Sequence, residues 1–240
     1  MLSDRQVLLL DAIIQEYINS TIPVGSAMIV QKYKIHCSPA TVRNEMAQLI
    51  DTGFLKMLHS SSGRVPTSMA YRFYLDQIME EDELPVLQEI AMKQRLWPVR
   101  FEFDKLLRQT AVSLSDITKE AAFITTNDGY VINAGAVNLL DNQEYWNIES
   151  AKAALHLLDR YELLEQTFEK APYGGEVRFV IGEEFGNKDL EQSCLIFSKY
   201  TMGSKSGYIG VLGPARLRYS NVVPTVKYTK RLLEELGGSW

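Results

Sequence analysis

The 240-residue chain is poor in the residues that build most reactive or metal-bound sites: it has two cysteines, Cys37 and Cys194, and three histidines. The two thiols lie far apart in sequence and show no zinc-binding spacing. They fit free thiols in a reducing cytoplasm. Long hydrophobic runs are missing as well. The first strongly apolar stretch, VLLLDAII, is short and is interrupted by Asp11, so no membrane span is expected. The amino terminus carries Asp4 and lacks a small-residue cleavage pattern, so a secretory leader is not expected either. No GxxxxGK[ST], GxSxG or HExxH motif occurs, which removes the sequence signatures of the common nucleotide-binding, acyl-transfer and zinc-peptidase sites. Neither an internal repeat nor a low-complexity tract is present.

What is present is ordinary globular composition, 46% hydrophobic and 23% charged, with charge unevenly spread. Residues 1–75 hold seven Lys/Arg against five Asp/Glu, and the remainder holds 18 against 25. A mildly basic head on an acidic body is compatible with a head that binds nucleic acid. Ser3 followed by Gln6 forms a capping-box pattern, and Val7, Leu10, Ile14 and Ile18 recur at helical spacing, which predicts a helix over 4–19. Pro23 and Gly25 break the chain, and a short helix follows over about 27–33. Ser38 caps a third helix with Pro39 in its first turn, and Gly53 ends it. FLKML reads as a strand, HSSSGRVPT as a loop, and 68–79 as a further helix.

Three helices, a strand, a polar loop and a return make the winged helix-turn-helix pattern. An acidic, proline-containing run predicts a partly helical linker over 80–100. From 101 to 240 the reading is an α+β body. It has a helix over 101–118, two strands around an Asn127-Asp128-Gly129 turn, a long helix over 147–170, three more strands and a closing helix. The expected fold class is thus α+β, with an antiparallel sheet flanked by helices behind the N-terminal head. The domains are expected at 1–79, 80–100 and 101–240.

On a helical wheel, Val42, Met46 and Leu49 of the third helix share one side, with Ile50 beside them. Ala40, Asn44, Ala47 and Asp51 lie opposite, flanked by Thr41, Arg43 and Gln48. Alanines let a backbone come close to a surface. Asn and Gln can read adenine, and Arg can read guanine or grip phosphate. The N-terminus at Ser38-Pro39 can also face a phosphate. A solvated face of an ordinary helix fits the same periodicity. The loop favours DNA: His59, Ser60, Ser61, Ser62, Gly63, Arg64 and Thr67 offer hydroxyls and a guanidinium to backbone or minor groove. Arg72 could reach a phosphate, whereas Tyr71 and Tyr74 are expected to be core residues.

The stretch PVGSAMIVQKYKIHCSPATVRNEMAQLIDTGFLKMLHSSSGRVPTSMAYRFYLD, with GAVNLLDNQEYW, VRFVIGEE and GYIGVLGPARLRYSNVVPTVKY behind it, resembles the HrcA family of heat-inducible transcription repressors. The resemblance covers most of the chain. It implies a GAF-like domain behind the winged helix. It also implies repression of chaperone operons by a homodimer on an inverted-repeat operator, and a dependence on a GroEL-type chaperonin. No cofactor is implied. Family members are longer, and the extra material, an inserted dimerisation domain, belongs between Ile124 and Tyr130. Dimer contact here would fall to the sheet edge or to the helices of 88–118.

An enzyme with a regulatory head is the rival reading. His156 is expected to be a partly buried structural histidine among leucines, Cys194 a core thiol, and Glu183-Glu184 solvated charge. GVLGPARL reads as strand and turn rather than a phosphate cradle. A further alternative is a regulator whose GAF-like domain senses a small ligand.

Overall fold

A computed structural model describes residues 2–33, 35, 37–59, 62–172 and 175–238. The chain divides into two compact units, Met1–Glu80 and Glu81–Trp240.

In the first unit, α1 spans Asp4–Ser20, and the Ser3–Gln6 capping box closes its first turn. Helix α2 spans Ser26–Tyr33 and α3 spans Pro39–Asp51. Strands β1 (Leu55–Met57) and β2 (Arg64–Pro66) pair antiparallel, and α4 (Ser68–Phe73) runs into a wider turn over Tyr74–Ile78. Leu10, Ile13 and Ile14 of α1, Ile29 of α2, Val42, Met46 and Leu49 of α3, and Leu55 and Val65 of the hairpin are buried. These three helices and one hairpin therefore enclose a small core of their own. Tyr71 and Tyr74 are buried, as expected.

Two buried carboxylates lock this unit. Glu16 on α1 accepts from Lys32 Nζ at 2.6 Å and from the Tyr33 hydroxyl at 3.1 Å, tying α1 to α2. Burial, and then the Glu16 carboxylate, push the Tyr33 phenol up to about 12. Glu45 on α3 pairs with Arg5 of α1. A buried carboxylate is tolerated only when paired in this way.

The second unit opens with α5 (Val86–Leu96) and α6 (Phe103–Thr118). Strands β3 (Ala121–Thr125) and β4 (Val131–Ala134) follow, then α7 (Ile148–Asp159), α8 (Tyr161–Lys170), β5 (Arg178–Ile181), β6 (Ser193–Met202), β7 (Lys205–Pro214) and α9 (Tyr219–Leu236). The five strands form one antiparallel sheet in the order β4-β3-β7-β6-β5. Phe123, Leu195, Phe197 and Leu212 point to one face, where α7 and α8 cover them with Ala154, Leu158, Leu164 and Phe168. Helices α6 and α9 cover the other face. This is a mixed α+β fold with an antiparallel sheet.

Several expectations needed correction. The long helix over 147–170 is two helices that break at Arg160. His156 is exposed on α7 rather than partly buried. The loop HSSSGRVPT contains a strand, β2. Glu184 is not simply solvated: its Oε2 accepts from the Ile181 amide at 2.8 Å. Cys194 is a buried core thiol, as expected. The turn between β3 and β4 is tight, with the Thr126 amide on the Tyr130 carbonyl at 3.0 Å and Gly129 at φ +85°. Only a residue tolerant of positive φ suits that corner.

Helix α9 carries Pro224 inside it. A proline has no amide hydrogen, so the Ser220 carbonyl one turn earlier loses its helical donor. The Asp82 amide takes that carbonyl at 2.9 Å, and the Ser220 hydroxyl donates to Asp82 Oδ2 at 2.8 Å.

Candidate nucleic-acid interface

Helix α3 begins where Ser38 stops being extended. The Ser38 hydroxyl accepts from the Thr41 amide at 3.1 Å and meets the Thr41 hydroxyl at 2.9 Å. Pro39 sits in the first turn, where its missing N–H leaves nothing unsatisfied. The buried side of the helix is Val42, Glu45, Met46 and Leu49. The opposite side, Ala40, Arg43, Asn44, Ala47, Gln48 and Asp51, is exposed. Gln48 is not idle there: its Oε1 accepts from Gln6 Nε2 at 2.9 Å. Arg43 and Asn44 stand at the middle of the outward stripe, between two alanines that leave the helix surface low.

The loop between β1 and β2 is organised by its own polar groups. The Ser62 hydroxyl donates to the His59 carbonyl at 2.8 Å, and the His59 amide donates back to Ser62 Oγ at 3.0 Å. Arg64 Nη1 donates to the Ser62 carbonyl at 2.8 Å, and its Nε is buried without a hydrogen-bond partner. Ser60 and Ser61 lie outside the described residues. Gly63 is held against the chain at Pro23: a β-carbon there would lie 2.4 Å from the Pro23 carbonyl oxygen. On either side of that approach, Val24 and Arg64 exchange both backbone hydrogen bonds at 2.8 Å. The PVGS segment thus braces β2 as a third extended element.

Thr67 caps α4. Its hydroxyl accepts from the Ala70 amide at 3.3 Å and donates to the Gly53 carbonyl at 2.7 Å. Arg72 is partly buried on α4. Of the residues expected to meet a ligand, Arg43, Asn44, Ala40 and His59 are exposed, whereas Ser62, Gly63 and Thr67 chiefly shape the loop. Sequence reading did not single out Arg5 and Glu45, which fix the tilt of α3 against α1. The one signal available was a carboxylate on the apolar side of the α3 wheel.

In the second unit, the sheet end near Glu120 gathers polar groups. Arg216 pairs with Glu144 through Nε–Oε1 at 2.7 Å and Nη2–Oε2 at 3.1 Å, and also donates to Asn142 Oδ1 at 3.0 Å. Glu120 is partly exposed as a residue, but its Oε2 is buried without a hydrogen-bond partner. Burial raises its carboxyl to about 8, against the pull of Arg216 and with the push of Glu144. Among the described residues no cluster of three His, Cys, Asp or Glu could hold a metal ion, and no helix is long and apolar enough to cross a membrane.

Residues 74–223 match the family model described as the HrcA protein C terminal domain. The heat-inducible transcription repressor HrcA of Carboxydothermus hydrogenoformans is 26% identical over 340 aligned positions, which take in 100% of this chain and 99% of that protein. About 100 positions of that alignment therefore have no residue of this 240-residue chain opposite them. The protein of the same name from Acetivibrio thermocellus is 25% identical, over 98% of this chain and 96% of its own. A crystal structure of a hypothetical protein at 2.2 Å resolution superposes with a TM-score of 0.82 at 20% identity, over 100% of this chain and 99% of that one. That likeness shows a shared fold.

Proposed function

The chain belongs to the HrcA family, and on that premise we propose that it is a non-enzymatic transcriptional repressor that binds DNA. Residues 1–79 act as a winged helix-turn-helix, 80–100 as a linker, and 101–240 as a GAF-like regulatory and dimerisation domain. Helix α3 enters the major groove and the β1–β2 loop lies along the backbone or the minor groove. Two chains engage an inverted repeat near the promoters of chaperone operons in the cytoplasm, and a GroEL-type chaperonin and heat modulate them.

The observation that supports this best is the outward stripe of α3. A helix with Val42, Met46 and Leu49 fully buried presents Arg43 and Asn44 between Ala40 and Ala47. Asn can take adenine in a bidentate pair, and Arg can take guanine or phosphate. Exposed alanines cost nothing in desolvation and let the backbone come close to base edges.

The test is footprinting on chaperone-operon promoters of the source organism, with a salt-titrated binding assay on any protected inverted repeat. Asn44→Ala is expected to weaken binding by about 1–3 kcal/mol and to relax preference at one base pair per half-site. An absence of protection on every such promoter would sink the proposal.

A further inference from the structure

The first turn of α1 meets α3 twice, at positions one helical turn apart along α3. Arg5 pairs with Glu45, and Gln6 bonds to Gln48. The second tie is neutral and exposed, so it holds little of the fold. Its polarity is nevertheless fixed. Gln6 belongs to the capping box: its Oε1 accepts from the Ser3 amide at 3.0 Å, and its own backbone amide donates to Ser3 Oγ at 3.3 Å. A backbone N–H can only donate, so the oxygen of the Gln6 side chain must face Ser3. The amino end is then left for Gln48. It too can only donate, so it takes the oxygen of Gln48, at 2.9 Å. Each planar amide is turned by the one before it, and the chain starts at a backbone group that cannot reverse.

The last link lies on the exposed outward face of α3, one turn beyond Asn44. With Oε1 turned to α1, Gln48 sends its Nε2 and both N–H donors the other way. We propose that Gln6 is a specificity-determining positioning residue: it makes Gln48 a donor-only reader of the major groove, selecting guanine or thymine. Guanine N7 and O6 and thymine O4 all accept. Adenine sets a donating amino group beside its N7, and cytosine offers only a donor. The bidentate pairing with adenine open to a free glutamine needs both ends of the amide, and here one end is already engaged. The capping box of α1 thus reaches past its own helix and sets which bases the neighbouring helix accepts.

This role rests on the repressor reading, and Gln6→Glu separates the two. A glutamate serves a capping box as well as a glutamine does. One carboxylate oxygen can take the Ser3 amide, but the other then faces Gln48 and can only accept. The Gln48 amide must turn over to meet it, which points its oxygen outward, toward the amino groups of adenine and cytosine. In the free protein, one Gln48 side-chain N–H proton signal is expected to move downfield in Gln6→Glu, with a melting temperature no lower than wild type's. Binding is then measured on duplexes in which each base pair of a footprinted half-site is replaced in turn. Wild type is expected to prefer guanine or thymine at one position by about 2- to 10-fold, the range of one hydrogen bond. Gln6→Glu is expected to move that preference to adenine or cytosine. The added charge lowers affinity for every duplex alike, so the preference is the readout. Gln48→Ala is expected to abolish the preference, and Gln6→Glu to restore none on that background. Unmoved Gln48 signals, an unchanged preference in Gln6→Glu, or a preference that survives Gln48→Ala would each overturn the proposal and leave the repressor reading standing. A wild type that protects no chaperone-operon promoter would bring down both.

Discussion

Arg5 Nε on α1 lies 2.9 Å from Oε1 of Glu45 on α3, and the carboxylate is the buried member of the pair. The arginine side chain is 58% exposed and the glutamate 9%, so the two ends of the bond are not equivalent. Removing Arg5 strands a buried charge, whereas removing Glu45 leaves a cation that water can solvate. Arg5→Met is therefore expected to cost about 1–3 kcal/mol, more than Glu45→Met, and the double variant is expected to recover part of the loss. Chemical denaturation of the three variants decides it. Equal losses for both single variants would contradict the asymmetry.

Gly63 has no room for a side chain. A β-carbon 2.4 Å from the Pro23 carbonyl must push β2 away from the PVGS segment. Gly63→Ala is expected to destabilise the first unit by about 1–3 kcal/mol through overpacking. Any effect on DNA should scale with that loss. An unchanged denaturation midpoint would show that the loop yields freely.

The two arginines of the candidate interface should part company. Arg43 is exposed on α3, whereas Arg64 holds the Ser62 carbonyl at 2.8 Å. Arg43→Ala is expected to leave stability within about 0.5 kcal/mol of wild type and to reduce the salt slope of binding by roughly one. Arg64→Ala is expected to lower both stability and affinity. Thermal melts paired with salt titrations read the two effects apart.

Glu120 supplies the pH dependence. Its folded carboxyl lies at about 8, above the ordinary 4.5, so between those values the folded state holds a proton that the unfolded state has released. Its contribution is full below about 4.5 and is lost as pH rises through 8. Glu120→Gln keeps the uncharged shape at every pH. It is expected to melt like wild type near pH 5 and higher than wild type at pH 8.5. A gap that does not grow with pH would contradict this.

Much of the local structure was readable because its causes are local. The Ser3–Gln6 box, the Ser38 cap ahead of Pro39 and the Gly129 corner are each written in a few adjacent residues. The wheel of α3 placed Val42, Met46 and Leu49 inward and Asn44 outward, as observed. What escaped depends on distant partners. Glu45 turns inward because Arg5 waits 40 residues away. Strand β2 exists because Val24 and Lys56 flank it on either side; alone, Arg64-Val65-Pro66 reads as loop. Gln48 reads on the wheel as a free surface amide, yet Gln6, 42 residues away, hydrogen-bonds its Oε1. The break at Arg160 follows no glycine or proline, so no breaker marked it.

Pro224 gives the last point. By ordinary rules it is a flaw, a residue that deprives α9 of one rung. Yet the rung it removes is the acceptor that the Asp82 amide occupies, and Lys227 one turn on pairs with the neighbouring Glu81. The acidic stretch ahead of α5 is therefore moored to α9 through a defect in it. Pro224→Ala would perfect the helix and evict its guest: the restored amide would compete for Ser220, and residues 81–84 would be freed to proteases while α9 itself grew stronger.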